Sequence, residues 1–314
     1  PRLNNMSRHF ALATNPMYPI VASSAPDNLV RLWDLRLGGA PTILRGHRHG
    51  IGALAFDARG KLLASGGKDG VVRIWRVRDG RLLHECACEG EVRALAFSRS
   101  RGPLIPRNYL YVGTRAGQLR TIDAATGELL AEVAAGRDIP ALAASFGPRG
   151  EEVVVAVERQ FVSFTGTLDE PRVSDVPHPL TAVVIGRGGT LALAVGYTRW
   201  MPVPTAQGVA VHNRRLGFNR LLNGHTLAPD CLAFSPDGTL LATGGPDGQV
   251  VLWDPATGAA RFTLAAHPGG VTGVGFLSDW RLLATTGVDA VVRLWDVETG
   301  ALTATLVSLN DEDY

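Results

Sequence analysis

Three stretches of the chain repeat one set of polar residues with one spacing. A histidine is followed by a hydroxyl residue, an aspartate and a tryptophan at gaps of 18, 4 and 6 residues. The sets are His47, Ser65, Asp69 and Trp75; His225, Thr243, Asp247 and Trp253; and His267, Thr285, Asp289 and Trp295. A hydroxyl, an imidazole and a carboxylate are also the groups of a hydrolytic triad, in which the histidine takes the proton of the nucleophile. Their chemistry is therefore the first question that the sequence raises.

The pattern favours a structural role over catalysis. A nucleophile must be reachable by substrate and must lie beside an oxyanion-binding group. Three copies with one spacing, each tied to a tryptophan, are instead typical of a repeated and buried unit. The sequence also lacks a G-x-S-x-G elbow, a phosphate-binding loop, an HExxH motif and a dinucleotide fingerprint. We predict no catalytic residues and no enzyme activity.

The segments that carry these residues recur along the whole chain. We align them on the large apolar residue that ends each copy: Trp33, Trp75, Ile122, Phe164, Val211, Trp253 and Trp295. The successive spacings are 42, 47, 42, 47, 42 and 42 residues. A period of about 40–50 residues with strand-like content indicates a propeller or a related array. In the second unit the four strand-like segments are IGALAF (51–56), KLLAS (61–65), VVRIW (71–75) and RLLHEC (81–86).

A four-stranded sheet of this size has two apolar faces and cannot cover both by itself. Radial packing of several sheets buries each face against a neighbour. We therefore predict an all-β fold, a seven-bladed β-propeller of four-stranded antiparallel blades, over residues 8–306. The predicted blades are 8–46, 47–86, 87–134, 135–176, 177–224, 225–266 and 267–306. Residues 1–7 are predicted to be an N-terminal linker, and 307–314 an acidic, frayed tail.

Two dipeptides make a family resemblance specific. Gly46-His47 and Gly224-His225 precede two of the units, and Trp-Asp ends three copies, at Trp33, Trp253 and Trp295. The chain resembles the WD-repeat β-propeller family over about residues 8–306. The resemblance implies that each four-residue set forms a buried hydrogen-bonded chain from indole to hydroxyl to imidazole to carboxylate, here called a tetrad. It also implies a scaffold or recognition module that binds protein segments.

The tetrad is incomplete in the other units. Unit 1 keeps Ser23, Asp27 and Trp33 but has Asn5 at the histidine position. Units 3, 4 and 5 have lost the set, which in unit 3 is replaced by Val112, Ala116 and Ile122. Family members usually close the ring with an N-terminal strand that completes the last blade. Here ALTATL (301–306) supplies a fourth strand to blade 7 itself, so we expect blades 1 and 7 simply to pack together.

One long loop carries residue types that are enriched in binding interfaces. In the family's geometry the strand 4–1 and strand 2–3 loops share one face, which is commonly the binding face. The blade 5 loop on that face, GYTRWMPVPTAQG (196–208), contains Tyr197, Arg199, Trp200 and Met201. We predict partner binding by these residues. The alternative is that Trp200 folds back onto blade 5.

A basic sector is predicted on the same face. Lys68 and Arg115 precede the strand 2–3 aspartate position in blades 2 and 3, and Arg93 starts the first strand of blade 3. Three cations on adjacent blades suit an acidic or phosphorylated protein segment. The alternative is an ordinary solvated charged face.

Composition limits the class of partner and of site. The net charge is +2 with both signs mixed along the chain, which argues against nucleic acid and membrane as partners. No apolar stretch reaches the ~18 residues of a membrane span, and the N-terminus lacks a signal-peptide core. Three cysteines suit a reducing compartment, and Cys86 and Cys88 lack the second ligand pair that zinc requires. We predict no metal, no cofactor and a cytoplasmic location.

The chain begins PRLNN rather than with methionine. We interpret it as a fragment or a processed product, part of a longer polypeptide. The abundance of Ala, Gly, Arg and Leu suggests a bacterial source. The predicted function is a monomeric, non-enzymatic scaffold or sensor propeller that binds a protein or peptide segment. The alternative is an accessory propeller of an upstream enzyme, such as a signalling ATPase, a kinase or a protease.

Overall fold

A computed structural model describes most of the chain and shows strands, turns and bends there. The described residues are 10–98, 108–136, 138–147, 150–157, 160–165, 171–175, 180–186, 190–195, 208–213, 218–279 and 281–307. These residues contain no helix. The predicted linker and nearly all of the predicted tail lie outside them, so the domain limits stay predictions.

The described strands form four-stranded sheets, each numbered here as the predicted blade that it matches. Blades 1 to 3 contain β1 (Leu12–Thr14), β2 (Ile20–Ser24), β3 (Val30–Asp34) and β4 (Thr42–Leu44); β5 (Ile51–Phe56), β6 (Leu62–Gly67), β7 (Val71–Arg76) and β8 (Arg81–Ala87); and β9 (Val92–Phe97), β10 (Tyr109–Thr114), β11 (Gln118–Asp123) and β12 (Leu129–Ala134).

Blades 4 to 7 continue the same pattern. They contain β13 (Ala141–Gly147), β14 (Gly150–Val157), β15 (Gln160–Thr165) and β16 (Arg172–Asp175); β17 (Leu180–Ile185), β18 (Thr190–Val195), β19 (Gly208–Asn213) and β20 (Phe218–Leu222); β21 (Cys231–Phe234), β22 (Leu241–Gly244), β23 (Gln249–Trp253) and β24 (Ala260–Ala265); and β25 (Val271–Phe276), β26 (Leu282–Gly287), β27 (Val292–Asp296) and β28 (Leu302–Leu306).

Within every sheet, neighbouring strands are consecutive in the chain and antiparallel. The prediction of an all-β propeller of four-stranded antiparallel blades is therefore confirmed. The second strands of blades 1, 2, 3, 6 and 7 are almost fully buried, as in LATG of β22, because neighbouring blades cover both of their faces. The outer strands alternate between exposed and partly buried residues, as in β28.

The apolar core lies between adjacent blades. In each buried cluster found among the described residues, two neighbouring blades contribute side chains. Val72 and Ile74 of blade 2, for example, pack with Val92 and Leu110 of blade 3. The first strands also contact one another in order around the molecule. This is the packing that a sheet with two apolar faces requires.

Blades 7 and 1 meet without exchanging a strand in the described part of the chain. β28 pairs with β27, so blade 7 takes its fourth strand from its own segment. β1 contacts β25, and Leu277 and Ala284 of blade 7 cluster with Val21 of blade 1. This junction, here called the seam, is held by side-chain packing.

The alignment of blade 5 on Val211 is wrong by one residue. Trp75, Trp253 and Trp295 all pack toward the preceding blade, in clusters shared with blades 1, 5 and 6 respectively. Val211 instead packs toward the following blade, in a cluster with Trp253. Successive strand residues point to opposite faces, so a shift of one residue reverses the face. The strand register selects the position: Ile185, Leu191 and His212 are paired in blade 5 as Phe276, Leu283 and Trp295 are in blade 7, so His212 stands at the position of the tryptophans.

The loops divide into two faces. Lys68 N donates to Gly50 O at 2.8 Å, which joins a strand 2–3 loop to a strand 4–1 loop. Val77 N donates to Lys61 O at 2.9 Å, which joins a strand 3–4 loop to a strand 1–2 turn at the other end of blade 2. The face that carries the strand 4–1 and strand 2–3 loops is called the top face below.

Candidate functional site

The tetrad of blade 2 is a continuous hydrogen-bonded chain. Trp75 Nε1 donates to Ser65 Oγ at 2.8 Å, and Ser65 Oγ lies 2.7 Å from His47 Nε2. His47 Nδ1 lies 3.1 Å from both carboxylate oxygens of Asp69. Because indole only donates and a carboxylate only accepts, the chain is complete when the Ser65 hydroxyl donates to Nε2 and the ring carries its proton on Nδ1. Arg73 Nη1 also lies 2.8 Å from Nδ1.

Blades 6 and 7 repeat this geometry with threonine as the hydroxyl residue. In blade 6, Trp253 Nε1 lies 2.9 Å from Thr243 Oγ1, which is 2.7 Å from His225 Nε2. His225 Nδ1 is 3.0 Å from Asp247 Oδ2. In blade 7 the corresponding distances, through Thr285, are 3.0, 2.8 and 2.8 Å. The repeated spacing in the sequence thus produces one repeated constellation in space.

Different elements of each blade supply the four groups. The second strand carries the hydroxyl and the third strand the tryptophan, while the strand 2–3 loop carries the aspartate and the strand 4–1 loop the histidine. The glycine before the histidine is required by close packing in blade 6. A Cβ at Gly224 would lie 2.6 Å from Trp253 Cη2, so only glycine lets the loop cross the indole ring.

The imidazoles of blades 2 and 7 are held neutral. Burial lowers the pKa of His47 and of His267, and the attraction of Asp69 and Asp289 offsets only part of this effect. Burial by itself would raise the pKa of Asp69, but the hydrogen bonds from Arg48 N, the Arg73 guanidinium and His47 outweigh it and lower the pKa. Each of these two tetrads therefore pairs a neutral ring with a charged carboxylate.

The hydroxyls cannot act as nucleophiles in this arrangement. Ser65, Thr243 and Thr285 are each 0% exposed. Each hydroxyl is also held between an indole and an imidazole, so neither substrate nor an oxyanion-binding group can approach it. The tetrads instead connect the second and third strands of a blade, by hydrogen bonds, to the strand 2–3 and strand 4–1 loops of the top face.

The partial set in blade 1 has a different geometry. Trp33 Nε1 still donates to Ser23 Oγ at 2.9 Å. Asp27 makes an ion pair with Arg31 and is one third exposed. Asn5, at the histidine position, lies outside the described residues. In blade 3, Val112 and Ile122 are buried in an apolar cluster, which replaces the polar chain by packing.

The predicted basic sector is largely neutralised within the protein. Arg93 lies 3.2 Å from Asp138 and 3.5 Å from Glu91, and Arg115 lies 3.4 Å from Glu91. The sequence reasoning missed both acidic residues, although Glu91 is only two residues from Arg93. Lys68 is exposed and makes no ion pair among the residues that the structure describes. The structure thus brings Arg93 and Arg115 together around Glu91, with Lys68 apart.

The predicted binding loop cannot be placed. Tyr197, Arg199, Trp200 and Met201 lie outside the described residues, as does all of 196–208 except Gly208, the first residue of β19. Partner binding by these four residues and the alternative of an inward-folded Trp200 both stay predictions.

No metal cluster is found within the described ranges, where no three His, Cys, Asp or Glu side chains are arranged to share an ion. Cys86, Cys88 and Cys231 are free thiols, and burial raises the pKa of Cys86 and Cys88. The same ranges hold no helix with the length and hydropathy of a membrane span.

The family model "WD domain, G-beta repeat" matches residues 40–76, 217–254 and 258–296. Each matched segment contains one complete tetrad. These segments are WD repeats, and the matches support a WD-repeat β-propeller. Each matched segment contains the first three strands of blade 2, 6 or 7 together with the fourth strand of the preceding blade.

Curated relatives match over short stretches. Small ribosomal subunit protein RACK1z of Arabidopsis thaliana is 50% identical over 46 residues, 15% of this chain and 14% of the relative. Small ribosomal subunit protein RACK1y of Oryza sativa subsp. japonica is 36% identical over 87 residues, 28% of this chain and 26% of the relative. WD repeat-containing protein 1-B of Xenopus laevis is 40% identical over 60 residues, 18% of this chain and 10% of the relative. The aligned stretches thus span about a quarter or less of these relatives.

Proposed function

We propose that this WD-repeat propeller is a protein-interaction module that binds a protein or peptide segment on its top face and performs no chemistry. The burial of every tetrad hydroxyl carries the proposal, because it commits the repeated polar residues to the scaffold. The similarity to other WD-repeat proteins supports it. The surface loops are therefore the part of the molecule that is available to bind a partner.

We also propose a closed ring of seven blades that is monomeric and cytoplasmic. The apolar cluster that Val21 shares with Leu277 and Ala284 supports closure at the seam. A closed ring fixes the loops of all blades on one rigid platform, and rigid platforms lose little entropy on binding.

The partner surface that the described residues support best is smaller than a three-cation sector. Arg93 is mostly buried between Glu91 and Asp138, so its charge is already used. Arg115 is 66% exposed and shares Glu91 with Arg93, and Lys68 is exposed. An acidic or phosphorylated segment would contact Lys68 and Arg115 and would compete with Glu91 for the guanidinium.

Charge reversal on the two faces tests this assignment. Wild-type protein, the top-face variant Lys68→Glu/Arg115→Glu and the opposite-face variant Lys61→Glu/Arg81→Glu would serve as baits in lysate of the source cells. Lys61 and Arg81 are exposed, and both variants change the charge equally. We expect quantitative mass spectrometry to find partners that the wild type and the opposite-face variant retain and the top-face variant loses. Equal retention by all three baits would contradict the top face as the binding surface.

A second arm tests the blade 5 loop. Trp200→Ala should weaken capture of the same partners and leave the melting temperature nearly unchanged, because a loop tryptophan that binds a partner contributes little to the core. A large fall in melting temperature would instead support the inward-folded alternative.

A further inference from the structure

Two thiols lie side by side on the outer strand of blade 2. Cys86 is in β8, and Cys88 continues the pairing of that strand, since its N–H donates to Gly70 O at 2.7 Å. Residues two apart in a strand point to the same face. Both side chains pack, partly buried, against the apolar cluster between blades 2 and 3. The two thiols therefore share the crevice between these blades.

The contacts of these thiols are weak enough to be exchanged for stronger bonds. The Cys86 thiol donates to Gly127 O at 3.4 Å, and the Cys88 thiol lies 3.9 Å from Cys86 O. A thiol is only a weak hydrogen-bond donor. Burial, and to a smaller extent the neighbouring Cys88 thiol, raises the pKa of Cys86, so the two side chains are close enough to interact. Neither thiol is committed to a disulfide.

The spacing of the two residues favours a bridging metal ion over a disulfide. Side chains two apart on one face of a strand start about 7 Å apart. A disulfide requires Cβ atoms roughly 4 Å apart, so it would need the strand to buckle. A metal–thiolate bond is about 2.3 Å long, so a linear sulfur–metal–sulfur unit spans about 4.6 Å. Sulfur atoms that lean toward each other by rotation about χ1 reach this span while the strand stays in place.

Arg120 of blade 3 places a positive charge beside the pair. Its Nη1 donates at 2.9 Å to the carbonyl oxygen of Ala87, the residue between the two cysteines. Burial raises the pKa of Cys88, and the Arg120 guanidinium offsets part of this effect. Two thiolates that share a monovalent ion carry one net negative charge, which a nearby guanidinium stabilises. The Glu132 carboxylate, 3.2 Å from Arg120 Nε, opposes this stabilisation.

The donor set selects the class of metal. Thiolates are soft ligands that prefer Cu(I), zinc and iron–sulfur clusters. Zinc requires four ligands, and among the described residues no three His, Cys, Asp or Glu side chains are arranged to share an ion. The sequence prediction of no metal rests on that requirement of zinc. Cu(I), which is soft and monovalent, is satisfied by two thiolates in a line.

We propose that Cys86 and Cys88 form a two-coordinate site for a single Cu(I) ion. On binding, both thiols release their protons to solvent and two sulfur–copper bonds form, with no change in the oxidation state of copper or of sulfur. Arg120 stabilises the negative charge of the bis-thiolate. The site rests on the outer strand of blade 2 and not on partner binding, so it is independent of the proposed interaction function.

Anaerobic titration with Cu(I) held by the coloured chelator bicinchoninate tests this site on the full chain. Wild-type protein should withdraw one equivalent of Cu(I) and bleach the chelator complex. Cys86→Ser and Cys88→Ser should each weaken Cu(I) binding by at least about 100-fold, because two tethered thiolates bind far more tightly than one. Cys231→Ser is the matched control and should leave the affinity unchanged, since the Cys231 thiol lies in blade 6 and donates to Gly244 O.

Two charge variants add a readout that a merely structural role would not produce. Arg120→Gln should weaken Cu(I) binding about two- to fivefold, and Glu132→Gln should strengthen it by a similar factor. A general loss of structure would not move the affinity in opposite directions. Thermal unfolding of each variant checks that it is folded.

X-ray absorption at the copper edge gives a test on the wild-type protein alone, in which two sulfur neighbours are expected. Three or more sulfur neighbours would overturn the proposal, because the ion would then lie between chains. The proposal would also fail if wild-type protein left Cu(I) with bicinchoninate. Loss of affinity in only one of the two cysteine variants would overturn it as well, since that result describes a single thiol.

Discussion

Each group in a complete tetrad uses its hydrogen-bonding capacity in one direction. The indole of Trp75 donates to the Ser65 hydroxyl, and this hydroxyl donates to the His47 ring. The ring in turn donates to the Asp69 carboxylate. Because the middle of this chain is buried, removal of one member leaves its neighbour without a partner away from water. Such a loss costs more than the hydrogen bond alone contributes.

Asp247→Ala should lower the free energy of unfolding by about 1–3 kcal/mol, since it leaves the buried His225 N–H unpaired. The Asp247 side chain is 4% exposed. Asp79→Ala is the matched control, because Asp79 is 43% exposed and its ion-pair partner Arg76 is 42% exposed; it should cost much less than Asp247→Ala. Urea unfolding measures both values. Equal losses in the two variants would contradict the structural role of the tetrad.

The tetrad histidines should make the protein less stable in mild acid. The pKa of His47 and His267 lies below the value of about 6.5 for an unfolded chain, so below that pH the unfolded state binds more protons. The stabilisation is complete above about pH 6.5 and is lost as the pH falls toward the folded-state pKa.

Urea unfolding at pH 7.5 and pH 5.5 checks this expectation. His267→Asn should reduce the difference between the two pH values, whereas His49→Asn, which alters an exposed loop residue, should not. A pH dependence that His267→Asn leaves unchanged would show that other groups are responsible.

The members of the three tetrads could be predicted from the sequence, because their spacing repeats. The gaps of 18, 4 and 6 residues placed three tetrads that the structure assembles. The neutralisation of Arg93 by Asp138 could not be predicted in the same way. These residues are 45 positions apart and belong to different blades, so only the packing of two sheets brings them together.

At the scale of elements, the position of a strand in its blade decides how deeply each side chain is buried and therefore how much it contributes to stability. β23 is covered on both faces, whereas β28 has one side toward solvent. The one-residue error in aligning blade 5 on Val211 is also an error about the face to which a strand residue points. The third strand of blade 5 has no tryptophan to mark the register, and a strand with apolar residues on both faces gives no second signal for the face to which each residue points.

Leu252→Ala should cost about 2–5 kcal/mol, because Leu252 is 1% exposed in the cluster between blades 6 and 7. Leu302→Ala, in an outer strand where the side chain is 50% exposed, should stay within about 0.5 kcal/mol of the wild type. Chemical unfolding of both variants compares the two positions. A loss at Leu302 as large as at Leu252 would mean that another surface covers the outer strand.

At the scale of the whole molecule, the ring makes every blade depend on two neighbours. Trp295 of blade 7 packs with Leu252 of blade 6, and Leu277 packs with Val21 of blade 1. Loss of one blade would therefore expose two apolar faces at once. The repeat period of the sequence predicts this interdependence. A four-stranded sheet that cannot bury its own two apolar faces must pack against a neighbour on each side.

Deletion of residues 267–307 should abolish cooperative unfolding and cause aggregation, since blades 6 and 1 would each lose their cover. Removal of residues 308–314 alone is the matched control and should leave the unfolding transition intact. Size-exclusion chromatography and thermal unfolding distinguish the two outcomes. A monomeric six-blade product with a sharp transition would show that the ring can close without blade 7.

The seam has a mechanical consequence. At the other junctions a covalent linker crosses from one blade to the next, so tension between neighbours is carried by the polypeptide itself. Between β28 and β1 the described chain offers only van der Waals contacts. A load that pulls blades 1 and 7 apart would therefore separate this junction before the junctions that a linker crosses.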